Sequence, residues 1–244
     1  MTEKGPRITL STEQVMVFDD VLTPAQFAEL HGAAGEASYR MVHDRSWQKV
    51  WRLHDGMPLA TTPVWLMPGA RRDVATYPTG GAVDPLVERI VTLSSEAEGL
   101  LGAVGRDWVG FNVRHWVYPA GSGLSLHRDS RGYTGSYVYF LHPEWNLHWG
   151  GLLIVLDPGT PTPPPRGTAG VAPWLDDSVE NTRVWEPGLG LCVMAKPNRL
   201  VFITGAAEHL ITKVDGAAGT HPRVSVAGFF YREVPSHVVG RPSG

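Results

Sequence analysis

Hydrophobic and polar residues follow different periods before and after about residue 110. In the earlier part, apolar residues recur at steps of three and four, as on one face of an amphipathic helix. The sequence Thr-Pro-Ala-Gln at 23–26 has the composition of a capping box with Pro at the first helical position, and it begins one such segment. Asp-Pro at 84–85 begins a second, with Leu86, Ile90 and Leu93 on one face. The pattern predicts two amphipathic helices that pack against a flat surface.

From Gly110 onward the chain consists of short, strand-like runs separated by turn residues. The predicted strands cover residues 111–118, 124–127, 136–142, 151–156, 199–203, 209–214 and 223–231. Successive strands without helices between them are typical of an antiparallel jelly roll. We therefore expect a mainly β protein with flanking helices, whose core is a double-stranded β-helix of the cupin-like type.

The pattern also predicts how the chain is divided. We expect residues 1–244 to form a single domain, with a helical and mixed support region over 1–109 and the jelly-roll core over 110–234. Residues 158–187 contain Pro-Thr-Pro-Pro-Pro and then Trp-Leu-Asp-Asp, which do not suit a regular strand. Long loops in a compact domain often bind ligands, so we expect a lid or substrate loop here.

The charge of the chain argues against polyanionic partners. Its formal net charge is −3, and Lys and Arg form no cluster along it. Nucleic acids and anionic membranes normally need a clustered positive surface, so we expect neither partner. No apolar run reaches membrane-spanning length and no targeting signal is recognisable, which favours a cytoplasmic protein.

The single cysteine, Cys192, excludes an intramolecular disulfide, and its apolar neighbours predict a buried thiol.

The sequence Leu-Ser-Leu-His-Arg-Asp at 124–129 contains the first candidate for chemistry. If this segment ends a strand, His127 and Asp129 project to the same side, because strand side chains alternate with a period of two. An imidazole and a carboxylate supply two thirds of a facial triad, which leaves three adjacent positions open on Fe(II). A His-x-Asp pair also arises by chance, so a second histidine is required.

The second histidine should come from another strand of the same barrel. His209 follows an apolar run at 200–203 and the turn-forming Gly205, and it opens the next predicted strand. The other histidines that remain open as candidates are His115, His142, His148 and His221. Two of them, His142 and His148, lie close to Trp residues in the sequence and could instead face a substrate.

Arg223 and Ser225 begin the last predicted strand and project to the same side of it. A buried guanidinium can bind a carboxylate through two parallel hydrogen bonds, and a hydroxyl two residues along can donate another. The pair therefore suits the distal carboxylate of a dicarboxylate cosubstrate. An ion pair between Arg223 and a surface carboxylate is the alternative.

Residues 118–231 resemble the prolyl-hydroxylase-like branch of the Fe(II)/2-oxoglutarate oxygenases. That branch has, in order, a Tyr-Pro-Gly-like turn, His-x-Asp, a Tyr-Leu-Asn-x-x-Trp strand, Gly-Gly, a distal His and Arg-x-Ser. The matching segments are Tyr-Pro-Ala-Gly at 118–121, His-Arg-Asp at 127–129, Phe-Leu-His-Pro-Glu-Trp at 140–145, Gly-Gly at 150–151, His209 and Arg-Val-Ser at 223–225. Their order and context cover about half of the chain.

The resemblance implies a role for each matching residue. The implied iron ligands are His127, Asp129 and His209, and the implied cosubstrate-binding residues are Arg223, Ser225 and Tyr118. Asp129 fills the position that related halogenases leave to a halide, so hydroxylation is favoured over halogenation. The sequence departs from the branch at Phe140, where Tyr is usual, and at His142, where Asn is usual.

The resemblance also implies a dioxygenase that uses Fe(II), 2-oxoglutarate and O2, with ascorbate as a stimulant. We expect hydroxylation of an unactivated C–H bond in a small molecule, such as an amino acid or a peptide-derived metabolite. The alternatives are a peptidyl hydroxylase of the prolyl type and a non-catalytic metal-binding jelly roll. Candidates for substrate recognition are Arg128, Arg131, Trp145 and residues 174–177. The sequence leaves the oligomeric state open.

Overall fold

The computed structural model describes residues 5–42, 53–158 and 190–239, and the structural statements below concern these residues. Nearly all of the expected loop over 158–187 lies outside the described residues, as does the Trp-Leu-Asp-Asp segment at 174–177. In the described part of the chain, no helix combines the length and the apolar character needed to cross a membrane.

The two predicted helices are present. Helix α1 spans Pro24–Glu36, α2 spans Asp84–Glu96, and a short α3 follows at Glu98–Leu101. At the start of α1, Thr23 Oγ1 accepts a hydrogen bond from the backbone N–H of Gln26, and Gln26 Oε1 accepts one from the backbone N–H of Thr23. The predicted capping box is therefore confirmed, and it satisfies two of the donors that a helix start leaves unpaired.

Thirteen strands make up most of the remaining described structure. They are β1 (Arg7–Ser11), β2 (Val15–Asp19), β3 (Arg40–Met41), β4 (Leu59–Ala60), β5 (Val64–Leu66), β6 (Gly110–Tyr118), β7 (Leu124–Arg128), β8 (Tyr133–Phe140), β9 (Leu153–Leu156), β10 (Gly190–Val193), β11 (Arg199–Thr204), β12 (Glu208–Ile211) and β13 (Arg223–Tyr231). All seven predicted strands are among them. The first five strands and β10 were not predicted; β3, β4 and β5 have only two or three residues, which is too few to reveal a period.

The strands form two antiparallel sheets that pack as a jelly roll. The larger sheet has the order β1-β2-β11-β8-β13-β6-β4-β3, with β5 also paired to β6. The smaller sheet has the order β10-β9-β12-β7. Several pairs of neighbouring strands, such as β11 with β8 and β12 with β7, are distant in the chain, as in a double-stranded β-helix. The expected fold class is confirmed.

Each face of the larger sheet has its own apolar cluster. Leu30 of α1 and Ile90 of α2 are fully buried together with Phe230 of β13, so the helices cover one face. On the opposite face, Phe140 of β8 packs in a second cluster with Val155 of the smaller sheet. The first face is thus closed by helices, and the second lines the interior between the two sheets.

Two sequence-based expectations are wrong. Cys192 is exposed, because β10 lies at the edge of the smaller sheet and alternation turns Cys192 outward while Val193 is buried. Strand β8 ends at Phe140, so His142 lies beyond it and not within a strand over 136–142.

The buried carboxylate of Asp19 links β2 to β11 through an ion pair. Asp19 is 1% exposed and accepts hydrogen bonds from Nε of Arg199 at 2.7 Å and from Nζ of Lys196 at 2.9 Å. Burial works to raise the pKa of Asp19, but the hydrogen bonds from these two cations outweigh it and hold the pKa well below its usual range. Because Asp19 lies directly opposite Arg199 in the strand register, the pair fixes how β2 aligns on β11.

We expect Asp19→Asn to lower the free energy of unfolding at pH 7 by about 1.5–3 kcal/mol, because the buried side chain loses its charge-assisted hydrogen bonds from Arg199 and Lys196. The native pKa lies below the ordinary value of 3.8, so ionised Asp19 stabilises the fold above that pH and loses its contribution as the pH falls toward the native pKa. In urea titrations, the difference between wild type and variant should therefore shrink below about pH 4. The exposed neighbour provides a control, since Asp20→Asn should change stability by less than about 0.5 kcal/mol. An Asp19→Asn effect that is the same at pH 7 and at low pH contradicts the role of the charge.

Candidate metal centre and cosubstrate site

Two of the predicted metal ligands lie side by side on neighbouring strands of the smaller sheet. His127 on β7 is the direct register partner of His209 on β12. Their ring centroids are 4.4 Å apart. Antiparallel pairing thus brings together two side chains that are 82 residues apart in the sequence (209 − 127). Of the five histidines that the sequence left open, His209 is the one that meets His127 and Asp129.

The carboxylate completes the cluster. Asp129 follows the end of β7, and its Oδ1 lies 3.6 Å from Nε2 of His127. One ligand atom from each of His127, Asp129 and His209 lies within 4.8 Å of the others. Oδ2 of Asp129 is buried and accepts no hydrogen bond from the described residues. Two imidazoles and one carboxylate on one side are the donor set that suits Fe(II) with open positions.

Backbone carbonyls orient both imidazoles in the same way. Nδ1 of His127 lies 2.9 Å from the carbonyl oxygen of Ser125, and Nδ1 of His209 lies 3.4 Å from that of Ala207. In each ring the carbonyl two residues earlier can accept the Nδ1 proton, which makes Nε2 the nitrogen that can bind a metal. Such outer hydrogen bonds fix the tautomer and the orientation of a metal-binding histidine.

A polar cluster that sequence reasoning missed holds the start of β7. Ser125 Oγ donates a hydrogen bond to Oδ1 of the buried Asp55 at 2.7 Å. The hydroxyl proton is thereby committed, so Nε2 of His54, at 2.9 Å from Ser125 Oγ, is the donor in that second bond. Ser125 shares the alternation of His127 and could have been suspected. His54 and Asp55 lie in a short turn about 70 residues earlier, and no sequence pattern marked them.

Arg223 is the most unusual buried residue of the interior. It is fully buried on β13, and its Nε and Nη2 have no hydrogen-bond partner among the described residues. Nη1 donates to Ser225 Oγ at 3.3 Å. Burial lowers the pKa of Arg223 to about 10, so the guanidinium remains charged at neutral pH. The predicted alternative, an ion pair with a surface carboxylate, is therefore wrong for the described part of the chain, because the side chain is not at the surface.

Aromatic rings enclose the guanidinium. Its Cζ lies 5.1 Å from the ring centroid of Tyr118 and 5.0 Å from that of Phe140. Tyr118 is the register partner of Arg223, and Phe140 is that of Ser225, so strand pairing brings all four together. Burial raises the pKa of the Tyr118 hydroxyl well above its usual value, and the charge of Arg223 opposes this. Tyr118 is thus a neutral hydrogen-bonding group beside a cation.

Glycine makes room for Arg223. Gly151 has a positive φ of 64°, and a Cβ atom there would lie 2.8 Å from Cδ of Arg223 and 3.2 Å from Cζ2 of Trp145. An L-residue with a side chain would be strained in this backbone conformation and would also displace the arginine. The Gly-Gly element therefore has a structural explanation at its second position.

The other candidate histidines lie elsewhere. The buried His142 has Nε2 at 2.6 Å from the carbonyl oxygen of Ala195 and Nδ1 at 3.2 Å from that of Val224 on β13, so both ring nitrogens face backbone carbonyls. Burial lowers its pKa to about 4. His115 is partly buried, and this burial lowers its pKa to about 4. His148 is exposed, and His221 stacks on a Trp149 ring at 4.8 Å.

Three of the predicted substrate-recognition residues, Arg128, Arg131 and Trp145, are among the described residues. Arg128 points outward, with Nη2 4.0 Å from Glu208 Oε1, and Arg131 is exposed in the turn after β7. Trp145 donates from Nε1 to the carbonyl of Gly150 at 2.9 Å and lies beside Gly151, on the Arg223 side of the interior.

No protein-family model and no curated protein sequence matches this chain, whereas many solved structures match its fold. A prolyl-4-hydroxylase from Pseudomonas putida has a TM-score of 0.55 and 14% identity, over 91% of this chain and 94% of that one. A prolyl hydroxylase from Trichoplax adhaerens, in complex with a hypoxia inducible factor oxygen degradation domain peptide fragment, has a TM-score of 0.60 and 14% identity, over 91% and 84%. The non-heme alpha ketoglutarate dependent epimerase SnoN from nogalamycin biosynthesis has a TM-score of 0.55 and 14% identity, over 94% and 85%.

These similarities concern the fold. The chain has the fold of the 2-oxoglutarate- and Fe(II)-dependent oxygenases, prolyl hydroxylases among them, and the resemblance seen in the sequence is confirmed at that level. Two of the three proteins are hydroxylases by name and one is an epimerase. The shared fold therefore does not fix the reaction or the substrate.

We expect Gly151→Ala to raise the dissociation constant for 2-oxoglutarate by at least about ten-fold, because the added methyl group displaces Arg223. Calorimetry on the Zn(II)-loaded protein measures this constant. Gly216→Ala is the control, since a Cβ at Gly216 meets nothing within 4 Å. Equal affinities for the two variants would mean that Arg223 does not contact the cosubstrate.

We expect His209→Ala to lower the affinity for Co(II), a redox-stable probe, by at least ten-fold, because even the outer partners of a ligand contribute about 10–100-fold. The control is His148→Ala, at an exposed histidine outside the cluster. Equilibrium dialysis with metal analysis gives both affinities. Undiminished Co(II) binding by His209→Ala would assign the metal to another histidine.

Proposed function

We propose that this protein is an Fe(II)- and 2-oxoglutarate-dependent dioxygenase that hydroxylates an unactivated C–H bond of a small molecule, such as an amino acid or a peptide-derived metabolite. The observation that carries the proposal is the buried Arg223, whose Nε and Nη2 lack partners among the described residues. A His-Asp-His cluster alone would also suit a metal-binding jelly roll without activity. A buried cation is costly until an anion pairs with it, and a pure metal binder has no use for one.

The residues present fit the cosubstrate and the metal. His127, Asp129 and His209 would hold Fe(II), and Arg223, Ser225 and Tyr118 would hold the distal carboxylate of 2-oxoglutarate. Bound Fe(II) would supply the reaction of substrate R–H, 2-oxoglutarate and O2 to give R–OH, succinate and CO2. Planar guanidinium donors suit a carboxylate, and the rings of Tyr118 and Phe140 exclude water from this contact.

Asp129 bears on the type of reaction. Its carboxylate lies within the cluster, 3.6 Å from His127, and so supplies an anionic ligand where a halogenase would need room for a halide. This supports hydroxylation over halogenation. Epimerisation, the reaction in the name of one matched structure, would use the same donor set and is separated from hydroxylation by product analysis.

A peptide is the second candidate substrate, because one of the matched prolyl hydroxylases was solved with a peptide fragment bound. Succinate formation from 2-oxoglutarate, with added Fe(II) and ascorbate, tests the enzyme class and the substrate together. We expect O2-dependent succinate, stimulated by free amino acids or their derivatives more than by proline-containing peptides. If O2 gives no succinate with any candidate, the protein is a binding module.

We expect Arg223→Leu to raise the 2-oxoglutarate concentration for half-maximal turnover by at least about ten-fold, because one charge-assisted hydrogen bond contributes about 1.5–3 kcal/mol. Co(II) binding should persist in this variant, because Arg223 is not among the three clustered ligands. The control is Arg72→Leu, at an exposed arginine in a turn. An unchanged 2-oxoglutarate requirement in Arg223→Leu would mean that the carboxylate binds elsewhere.

A further inference from the structure

A second arginine lines the same interior. Arg114 lies on β6 four residues before Tyr118, so both side chains project from the same face of the strand. At about 3.3 Å per residue, Arg114 is roughly 13 Å along the strand from the row that contains Tyr118 and Arg223. The two arginines therefore mark different ends of the interior.

The row that contains Arg114 lies beneath an opening. Arg114 is in register with Ala227 of β13, which in turn is in register with Val138 of β8. All three are partly exposed, although β13 and β8 are central strands of the larger sheet. The residues on either side of Ala227, which face the helices, are fully or nearly buried. The accessible surface of this row must therefore open into the space between the sheets.

An aromatic wall lies next to this row. Tyr133 is the first residue of β8, four residues after Asp129. Its ring stacks on Phe229 at 4.5 Å and contacts Tyr231 at 4.8 Å. Phe229 and Tyr231 follow Ala227 on the same face of β13. Ala227, the register partner of Arg114, precedes Phe229 by two residues on this face, so Arg114 projects beside the wall.

A buried hydroxyl on the same face adds a further polar group. Ser136 is 5% exposed and is the register partner of Phe229, and its Oγ has no hydrogen-bond partner among the described residues. Buried hydroxyls normally find a partner in the protein, in water or in a ligand. The surface at the base of the opening therefore has three components: the Arg114 cation, the buried Ser136 hydroxyl and the rings of the aromatic wall.

We propose that Arg114 binds a carboxylate of the substrate, while the aromatic wall of Tyr133, Phe229 and Tyr231 contacts the apolar part of the same molecule. The inference rests on the proposed function, in which Arg223 binds the cosubstrate at the other end of the interior. A guanidinium fork suits a carboxylate better than any neutral group, and the rings suit an aliphatic or aromatic body. The substrate class is then an apolar carboxylic acid with its carboxyl group free.

The test compares acids with their own amides. The full chain is loaded with Zn(II) and saturated with 2-oxoglutarate, so that the Arg223 site is filled. Calorimetry then gives the affinity for 3-phenylpropanoate, 4-methylpentanoate and N-acetyl-leucine, and for the three corresponding primary amides. We expect at least one acid to bind about ten-fold more tightly than its amide, as a charge-assisted contact implies.

The variants assign that preference to a residue. In Arg114→Gln the acid and the amide should bind equally, in Arg114→Lys part of the preference should return, and in Arg89→Gln, at a partly exposed position of α2, it should be unchanged. A general loss of packing would weaken acid and amide together and would leave their ratio unaltered. Equal affinity for every acid and amide in the wild type, or a preference that survives in Arg114→Gln, overturns the inference.

The same samples separate this inference from the proposed function. Binding of 2-oxoglutarate is measured before each titration. If 2-oxoglutarate does not bind but the acid preference depends on Arg114, the proposed function fails and the anion site stands. If 2-oxoglutarate binds and no acid is preferred over its amide, the proposed function stands and Arg114 has another role.

Discussion

The charge of Arg223 is the constraint on which the interior of this protein depends. A guanidinium buried to 0% exposure loses its hydration, and among the described residues only Ser225 accepts one of its hydrogen bonds. Rings of Tyr118 and Phe140 enclose it, and a glycine at 151 leaves it space. The fold therefore tolerates a costly cation at one fixed position, which is explicable if an anionic cosubstrate offsets the cost during function.

The site arises from the contact between two sheets. His127 and His209 are opposed on the smaller sheet, and Arg223 lies on the inward face of the larger one. Because side chains alternate along a strand, a slip of one residue in either sheet would turn these groups out of the interior. The structures with the same fold include hydroxylases and an epimerase. On the proposed function, such a frame would hold the metal and the cosubstrate in place, and the remaining surface of the interior would decide what reacts.

Along β6, that remaining surface has two separate rows of residues, and each row contains an arginine. Arg223 and Tyr118 lie in one row, and Arg114 and Ala227 lie in another, four residues away on β6. Asp55 lies near Tyr118, where its charge adds to the rise in the pKa of that hydroxyl after burial. Each of these two rows on one face of the larger sheet thus contains an arginine.

The sequence by itself determined the features that depend on local order. The capping box of α1, the longer strands, the His-x-Asp pair and the Arg-x-Ser pair all follow from residues close together in the chain, where alternation fixes which side chains share a face. Only the tertiary structure decided that His209 and no other candidate meets His127, that His142 binds backbone carbonyls, and that His54 and Asp55 support β7. These depend on pairing between strands and on packing of loops, and both are contacts between distant residues that no periodicity in the sequence encodes.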